Sequence, residues 1–302
     1  MNSPATRAIP AHWPRASDSL ERVNEWTGRR TAAHPRSAQP PTPHGRAGQG
    51  KAGRGWAGRY GTQEDGEVIQ GDLFDDRPDD PPGAGPAARV RSEPAPGAVL
   101  LPDWLDPAAK LRLVAACREW ARPPAGLHSV RMPTGGVMSV RMVSLGWHWY
   151  PYGYARVAED GAPVKPFPAL LGELARRAVA DAYGERIGEI AGAAAYEPDT
   201  AIVNHYPHGA KMGLHQDRDE RANAPVVSLS LGDDCLFRLG NTRTRNRPWT
   251  DLELHSGDLL VFGGPARFAY HGVVRTLPGT ADPALGLVGR LNVTIRQSGI
   301  EA

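Results

Sequence analysis

Two helix-forming segments, then seven short strand-forming segments separated by turns from Thr200 onward, predict an α+β domain. Helices first and many short strands after them fit a double-stranded β-helix (jelly-roll) core with supporting helices. An Arg/Pro/Gly-rich leader poor in large apolar side chains predicts a disordered N-terminal extension in front of it.

Residues 1–69 carry ten Lys+Arg and six Asp+Glu, a net of +4, and hold too little apolar surface to offset the entropy of ordering. Two other readings stand beside disorder. The tail could touch nucleic acid non-specifically, or the native start could lie downstream near Val68. Residues 70–97 stay Asp/Pro/Gly-rich and read as an extended lead-in to a domain over 70–302. Val99–Leu101 is a short strand. Asp106 caps a helix opened by Pro107 and running to about Trp120, with Leu111, Val114 and Ala115 as its apolar residues. Val137–Val143 reads as a strand. Pro168 to about Tyr183 is an amphipathic helix stopped by Gly184. The later strands are Ala201–Tyr206, Val226–Leu231, Cys235–Leu239, Asp251–Leu254, Asp258–Phe262, Arg267–His271 and Leu287–Gln297.

Composition excludes several classes of function. Residues 70–302 have a net charge of −2, which gives no electrostatic proof of nucleic-acid binding, and any basic patch must be local. Cys117 and Cys235 lack CxxC spacing and sit in apolar surroundings, which predicts buried thiols rather than a disulfide or a zinc site. No apolar run approaches membrane-spanning length, and the first residues lack a signal-peptide core. A soluble, cytoplasmic monomer is expected.

The chemistry concentrates in two places. His215 and Asp217, two apart, would share one face of a strand, and His271 adds a second imidazole. Two imidazoles and a carboxylate are the facial set that holds a non-haem Fe(II) and leaves positions open. Alone, a His-x-Asp pair is more often a surface hydrogen bond, and His271 could be a satisfied interior histidine. The second place is Arg290-Leu-Asn-Val-Thr-Ile-Arg296, where Arg290, Asn292, Thr294 and Arg296 share one face. A solvated edge strand would serve as well with Lys or Glu. Two Arg forks instead suit a dicarboxylate such as 2-oxoglutarate.

Asn204-His-Tyr206, Met212-Gly-Leu-His215-Gln-Asp217-Arg-Asp219-Glu220, Ser256–Gly264, Tyr270-His271-Gly272 and the Arg290–Arg296 run together resemble the AlkB family, most of all its bacterial members. These are Fe(II)/2-oxoglutarate dioxygenases that repair alkylated bases, and the similarity spans about residues 70–302. The resemblance implies iron on His215, Asp217 and His271. It implies 2-oxoglutarate on Arg290 with Tyr206, Asn204 and Asn292, and Arg296 toward the other end of the co-substrate or the metal; O₂ completes the set. It implies a nucleotide-recognition lid around 130–160, containing Met138 and Met142, with Trp147 and the His215 ring sandwiching a flipped base. Tyr154 would meet a backbone phosphate, and Asp219 and Glu220 the base's exocyclic amine. Arg218, Arg267 and Lys211 are further candidate phosphate contacts.

The implied reaction is oxidative demethylation of 1-methyladenine and 3-methylcytosine type lesions in single-stranded or locally opened DNA. RNA or tRNA demethylation and a non-catalytic nucleic-acid-binding module are the alternatives. The sequence departs from the bacterial pattern at Arg156, where a second tyrosine is expected, at Phe262 for a common Trp, and in the smaller Leu291, Val293 and Ile295.

Overall fold

The computed structural model describes residues 89–301. The extension over 1–69, the alternative start near Val68 and the lead-in up to 88 lie outside the described residues. In chain order the elements are β1 (Ser92–Ala95), β2 (Ala98–Leu101), α1 (Pro107–Trp120), β3 (His128–Arg131), β4 (Val137–Leu145), β5 (His148–Tyr150) and β6 (Gly153–Ala155). They continue with α2 (Ala169–Tyr183), β7 (Thr200–Tyr206), β8 (Met212–His215), β9 (Val226–Gly232) and β10 (Asp234–Gly240). The last are β11 (Trp249–Leu254), β12 (Leu259–Phe262), β13 (His271–Leu277) and β14 (Arg290–Arg296).

Eight strands form one sheet in the order β1-β2-β12-β9-β14-β7-β4-β3, and four form a second, β11-β10-β13-β8. The hairpin β5-β6 stands apart. All of these strand pairings are antiparallel, as a jelly roll requires. β14 lies between β9 and β7 and is buried along its whole length. Its Leu291, Val293 and Ile295 join Leu113 and Val114 of α1 and Leu171 and Val179 of α2 in one apolar cluster on the helix side. A second cluster holds Tyr206, Phe237, Leu239, Leu260 and Phe262. The period-two split read from the sequence is therefore the split between helix-facing and site-facing residues.

Both helices start and stop where expected. Asp106 accepts a hydrogen bond from the Ala109 amide (2.6 Å), and Gly184 closes α2 with φ 52°. Both cysteines are buried and free. Among the described residues no helix is long and apolar enough to cross a membrane.

Three expectations are corrected. Ser92–Ala95, expected within an extended lead-in, is an edge strand paired with β2. Arg267–His271 is not a strand: Pro265 opens a 3₁₀ turn, and the Arg267 and Ala269 amides bond the Gly264 and Ala266 carbonyls instead of a neighbouring strand. His271 consequently begins a strand rather than ending one. The His215/Asp217 pair does not share a strand face, because β8 stops at His215 and Asp217 lies beyond it. Buried arginines hold that segment away from the ladder, as the site geometry shows.

Candidate active site

His215 and His271 face each other across the β8–β13 pairing, with ring centroids 4.4 Å apart. Asp217 reaches back toward both: its carboxylate oxygens lie 3.8 Å from His215 Nε2 and 3.8 Å from His271 Nε2. One donor atom from each residue falls within 4.8 Å of the others. Backbone carbonyls fix the rings, since His215 Nδ1 lies 3.0 Å from the Gly213 oxygen and His271 Nδ1 2.9 Å from the Ala269 oxygen. That leaves Nε2 of each ring directed at the cluster, the arrangement that orients metal-ligating imidazoles. Burial, with His215 nearby, pulls the His271 pKa down to about 4, so it is neutral and able to ligate at pH 7.

The close approach of β8 to β13 depends on Gly272. A Cβ there would lie 2.5 Å from the Met212 carbonyl oxygen and 2.9 Å from that of Gly213, both backbone. Gly272→Ala must push β8 outward and carry His215 with it. A loss of about 1–3 kcal/mol is expected, seen as a lowered thermal midpoint together with weaker metal affinity.

Asp217 is held by a buried ionic group. Arg296 Nε and Nη2 donate to Asp217 Oδ2 at 3.0 and 2.9 Å, and Arg267 Nη1 donates to the Asp217 carbonyl at 2.7 Å. Glu220 joins both arginines, 3.4 Å from Arg296 and 3.1 Å from Arg267, and accepts the Tyr154 hydroxyl (2.5 Å). Burial alone would raise the Asp217 carboxyl. Arg296 foremost, then His271 and His215, outweigh it and hold the group well below the usual carboxylate range.

A cavity of about 500 Å³ opens in front of this cluster. Asn204, Tyr206, Arg290 and Asn292 line it together with the triad. Arg290 is 1% exposed; its Nη2 donates to Ser230 Oγ (2.8 Å), its Nη1 to the Asp233 carbonyl (3.4 Å), and no carboxylate among the described residues pairs with it. Arg290 Nε and Asn204 Oδ1 are buried without a hydrogen-bond partner. A buried cation lacking an anion, beside unmet donors and acceptors, is a receptor awaiting an ionised polar ligand. The donor set of two imidazoles and one carboxylate likewise fits Fe(II).

At the outer end of the cavity are Met132, Met138, Met142 and Met212, four of the five methionines, with Trp149 packed against them. Trp149 Nε1 donates to Asp219 Oδ2 (2.8 Å), and both side chains line the cavity.

Several residues sit differently from their expected roles. Trp147 is 7% exposed and does not line the cavity. Its ring lies under the Arg156 guanidinium (3.4 Å) and its Nε1 donates to Asp199 Oδ2 (3.3 Å). Gly146, with φ 81°, turns the chain between β4 and β5, so the aromatic ring reaching the cavity is Trp149. The Tyr154 hydroxyl is committed to Glu220 rather than presented to a phosphate. Glu220 lines the cavity, but its side chain is 2% exposed and is already engaged by two arginines and the Tyr154 hydroxyl, so Asp219 is the freer acid for a base amine. Arg267 is 1% exposed and is a structural cation, not a phosphate contact. Trp149 and Ser230 went unremarked in the sequence. Trp149 sits in the same short aromatic run as Trp147, whereas nothing local marks Ser230.

The two facing sheets and the clustered donors define the class, a jelly-roll oxygenase, and the family model of the 2OG-Fe(II) oxygenase superfamily matches residues 97–296. The chain is 39% identical over 210 residues to "Alpha-ketoglutarate-dependent dioxygenase AlkB homolog" of Caulobacter vibrioides, covering 67% of this chain and 88% of that protein. It is 33% identical over 223 residues to "DNA N(6)-methyladenine demethylase ALKBH1D" of Arabidopsis thaliana, covering 67% of this chain but only 49% of the plant protein. The solved OsALKBH1 structure aligns with a TM-score of 0.61 at 31% identity, covering 68% of this chain and 99% of that one. The chain belongs to the AlkB family of Fe(II)- and 2-oxoglutarate-dependent dioxygenases.

Proposed function

We propose that this enzyme oxidatively removes N-linked methyl groups from bases in single-stranded or locally opened DNA. The observation that carries the reading is the Trp149–Asp219 hydrogen bond in the same cavity as the triad. An aromatic face beside a carboxylate is a receptor for a flat ring with cationic character, and methylation at adenine N1 or cytosine N3 creates one. The methionines around Trp149 give that receptor soft, adaptable walls. The Arabidopsis relative's name specifies N6-methyladenine, which is uncharged, so Asp219 favours the cationic lesions over it.

His215, Asp217 and His271 would hold Fe(II), and Arg290, with Asn204 and Tyr206, a carboxylate of 2-oxoglutarate. Bound together, these groups supply the oxidation by O₂ that turns the N-methyl carbon into formaldehyde. The protein's own part is positioning. Arg296 keeps Asp217 ionised and aimed, the Gly213 and Ala269 carbonyls set the imidazole rings, and Phe262 and Phe237 pack around His271.

Formaldehyde release across DNA and RNA oligonucleotides carrying 1-methyladenine, 3-methylcytosine or N6-methyladenine tests the assignment. Single-stranded DNA with the first two lesions should rank highest. Trp149→Ala should raise the oligonucleotide KM by about 5- to 150-fold, the worth of one stacked base, while leaving the KM for 2-oxoglutarate unchanged. Equal turnover of N6-methyladenine would mean that Asp219 does not select for charge, and a preference for RNA would move the substrate class.

A further inference from the structure

β5 and β6 pair Tyr150 with Gly153, leaving Pro151 and Tyr152 as the two-residue tip of the hairpin. Proline followed by a residue of positive φ is the pattern of a type II turn, where that second place is normally glycine. Here it is Tyr152, with φ 74°. A side chain carrying Cβ is disfavoured in that conformation, and such outliers collect at functional sites. The neighbouring ring is not free to do the same job. A Cβ on Gly153 would lie 2.7 Å from the Tyr150 hydroxyl oxygen and 2.8 Å from its Cζ, so Tyr150 folds across the hairpin over that glycine. Tyr152 is left projecting, 76% exposed, while still lining the cavity. Arg218 and Arg245 line the same cavity, and neither is ion-paired among the described residues, which suits a polyanionic strand.

We propose that Tyr152 is a stacking platform for the nucleobase adjacent to the one carried into the cavity. A base entering the cavity leaves its neighbour with one face unstacked, and an aromatic ring at the rim can cover that face. The turn fixes the backbone that carries the ring, so the hairpin needs no ordering on binding. The platform reads no sequence, because every base offers a π face. This inference rests on the nucleic-acid reading above.

The test is fluorescence anisotropy of the full chain, loaded with Mn(II) and 2-oxoglutarate, on single-stranded oligonucleotides carrying one 1-methyladenine. One has normal neighbours, one an abasic site 5′ of the lesion, one an abasic site 3′ of it. Tyr152→Ala, and Tyr152→Gly, which suits the backbone, should each weaken binding to the first by about 5- to 150-fold, and Tyr152→Phe should bind like the wild type. With one of the two abasic oligonucleotides, wild type and Tyr152→Gly should bind alike. Wild-type affinity in Tyr152→Gly, or the same fold-loss on all three oligonucleotides, overturns the stacking role. Formaldehyde release by the iron-loaded wild type from the same oligonucleotides separates the two claims. Release together with an indifferent Tyr152 removes only the platform, and no release from any of them removes the demethylase reading and the platform with it.

Discussion

Asp217→Ala is expected to release no formaldehyde and also to lose stability, whereas His215→Ala is expected to lose turnover alone. The difference follows from where each residue sits. The His215 side chain is 36% exposed, and its ring bonds only its own strand's carbonyl. The Asp217 carboxylate is 7% exposed and takes two hydrogen bonds from Arg296, itself buried. Removing one member of a buried pair costs about 3–5 kcal/mol when the other is stranded. Glu220, 3.4 Å from Arg296, stays as a second partner, so the loss should fall below that range. For a domain of this size the thermal midpoint should drop by about 5–10 °C in Asp217→Ala and by little in His215→Ala. Metal titration and thermal melts on the two variants check both halves. Equal midpoints would mean that Arg296 does not depend on Asp217. Iron-dependent turnover surviving in either variant would remove that residue from the metal site.

Arg290→Ala is expected to raise the KM for 2-oxoglutarate by at least about 30-fold, the loss that follows when one partner of a buried charge pair is truncated. The same substitution should not lower the melting point of the cofactor-free protein. Without its anion Arg290 is a buried cation held only by Ser230 and a backbone carbonyl, so removing it relieves a desolvation penalty. A binding arginine and a structural arginine are thus told apart by opposite signatures. Arg296, bonded to Asp217 and Glu220, belongs with the structural ones, and Arg296→Ala should destabilise the fold. Steady-state kinetics with 2-oxoglutarate varied, run beside melts with and without it, read all of these effects.

Much of this arrangement is legible in the sequence, and the illegible parts share a cause. The Arg290–Arg296 alternation is legible because β14 packs one face on the apolar helix-side cluster and turns the other to the polar cavity, so period two separates the two residue types. The start of α1 at Asp106 and the stop of α2 at Gly184 are legible because capping is local chemistry. The position of Asp217 is not, because Arg296 and Arg267, about 80 and 50 residues away, decide it by bonding its carboxylate and carbonyl. Trp147 and Trp149 lie two apart and would share a face on a continuous strand, but Gly146 and Trp147 form the bend between β4 and β5, and only Trp149 lies on a strand. Trp147 then goes to Asp199 and Arg156, and Trp149 to the cavity. Arg156, noted in the sequence only as a departure, is the group that covers Trp147. The resemblance places Glu220 with Asp219 at the base's exocyclic amine, whereas its bonds to Arg267, Arg296 and Tyr154 exist only in the folded chain.

The most direct measurement is the yield of formaldehyde and succinate from a single-stranded oligonucleotide bearing one 1-methyladenine, with iron and 2-oxoglutarate each supplied or withheld. The expected result is one formaldehyde per restored adenine, matched by succinate, dependent on both additions and abolished in His215→Ala. The contradicting result is succinate formation with the methyl group left in place on every methylated base offered, which would mean that the cavity serves another substrate.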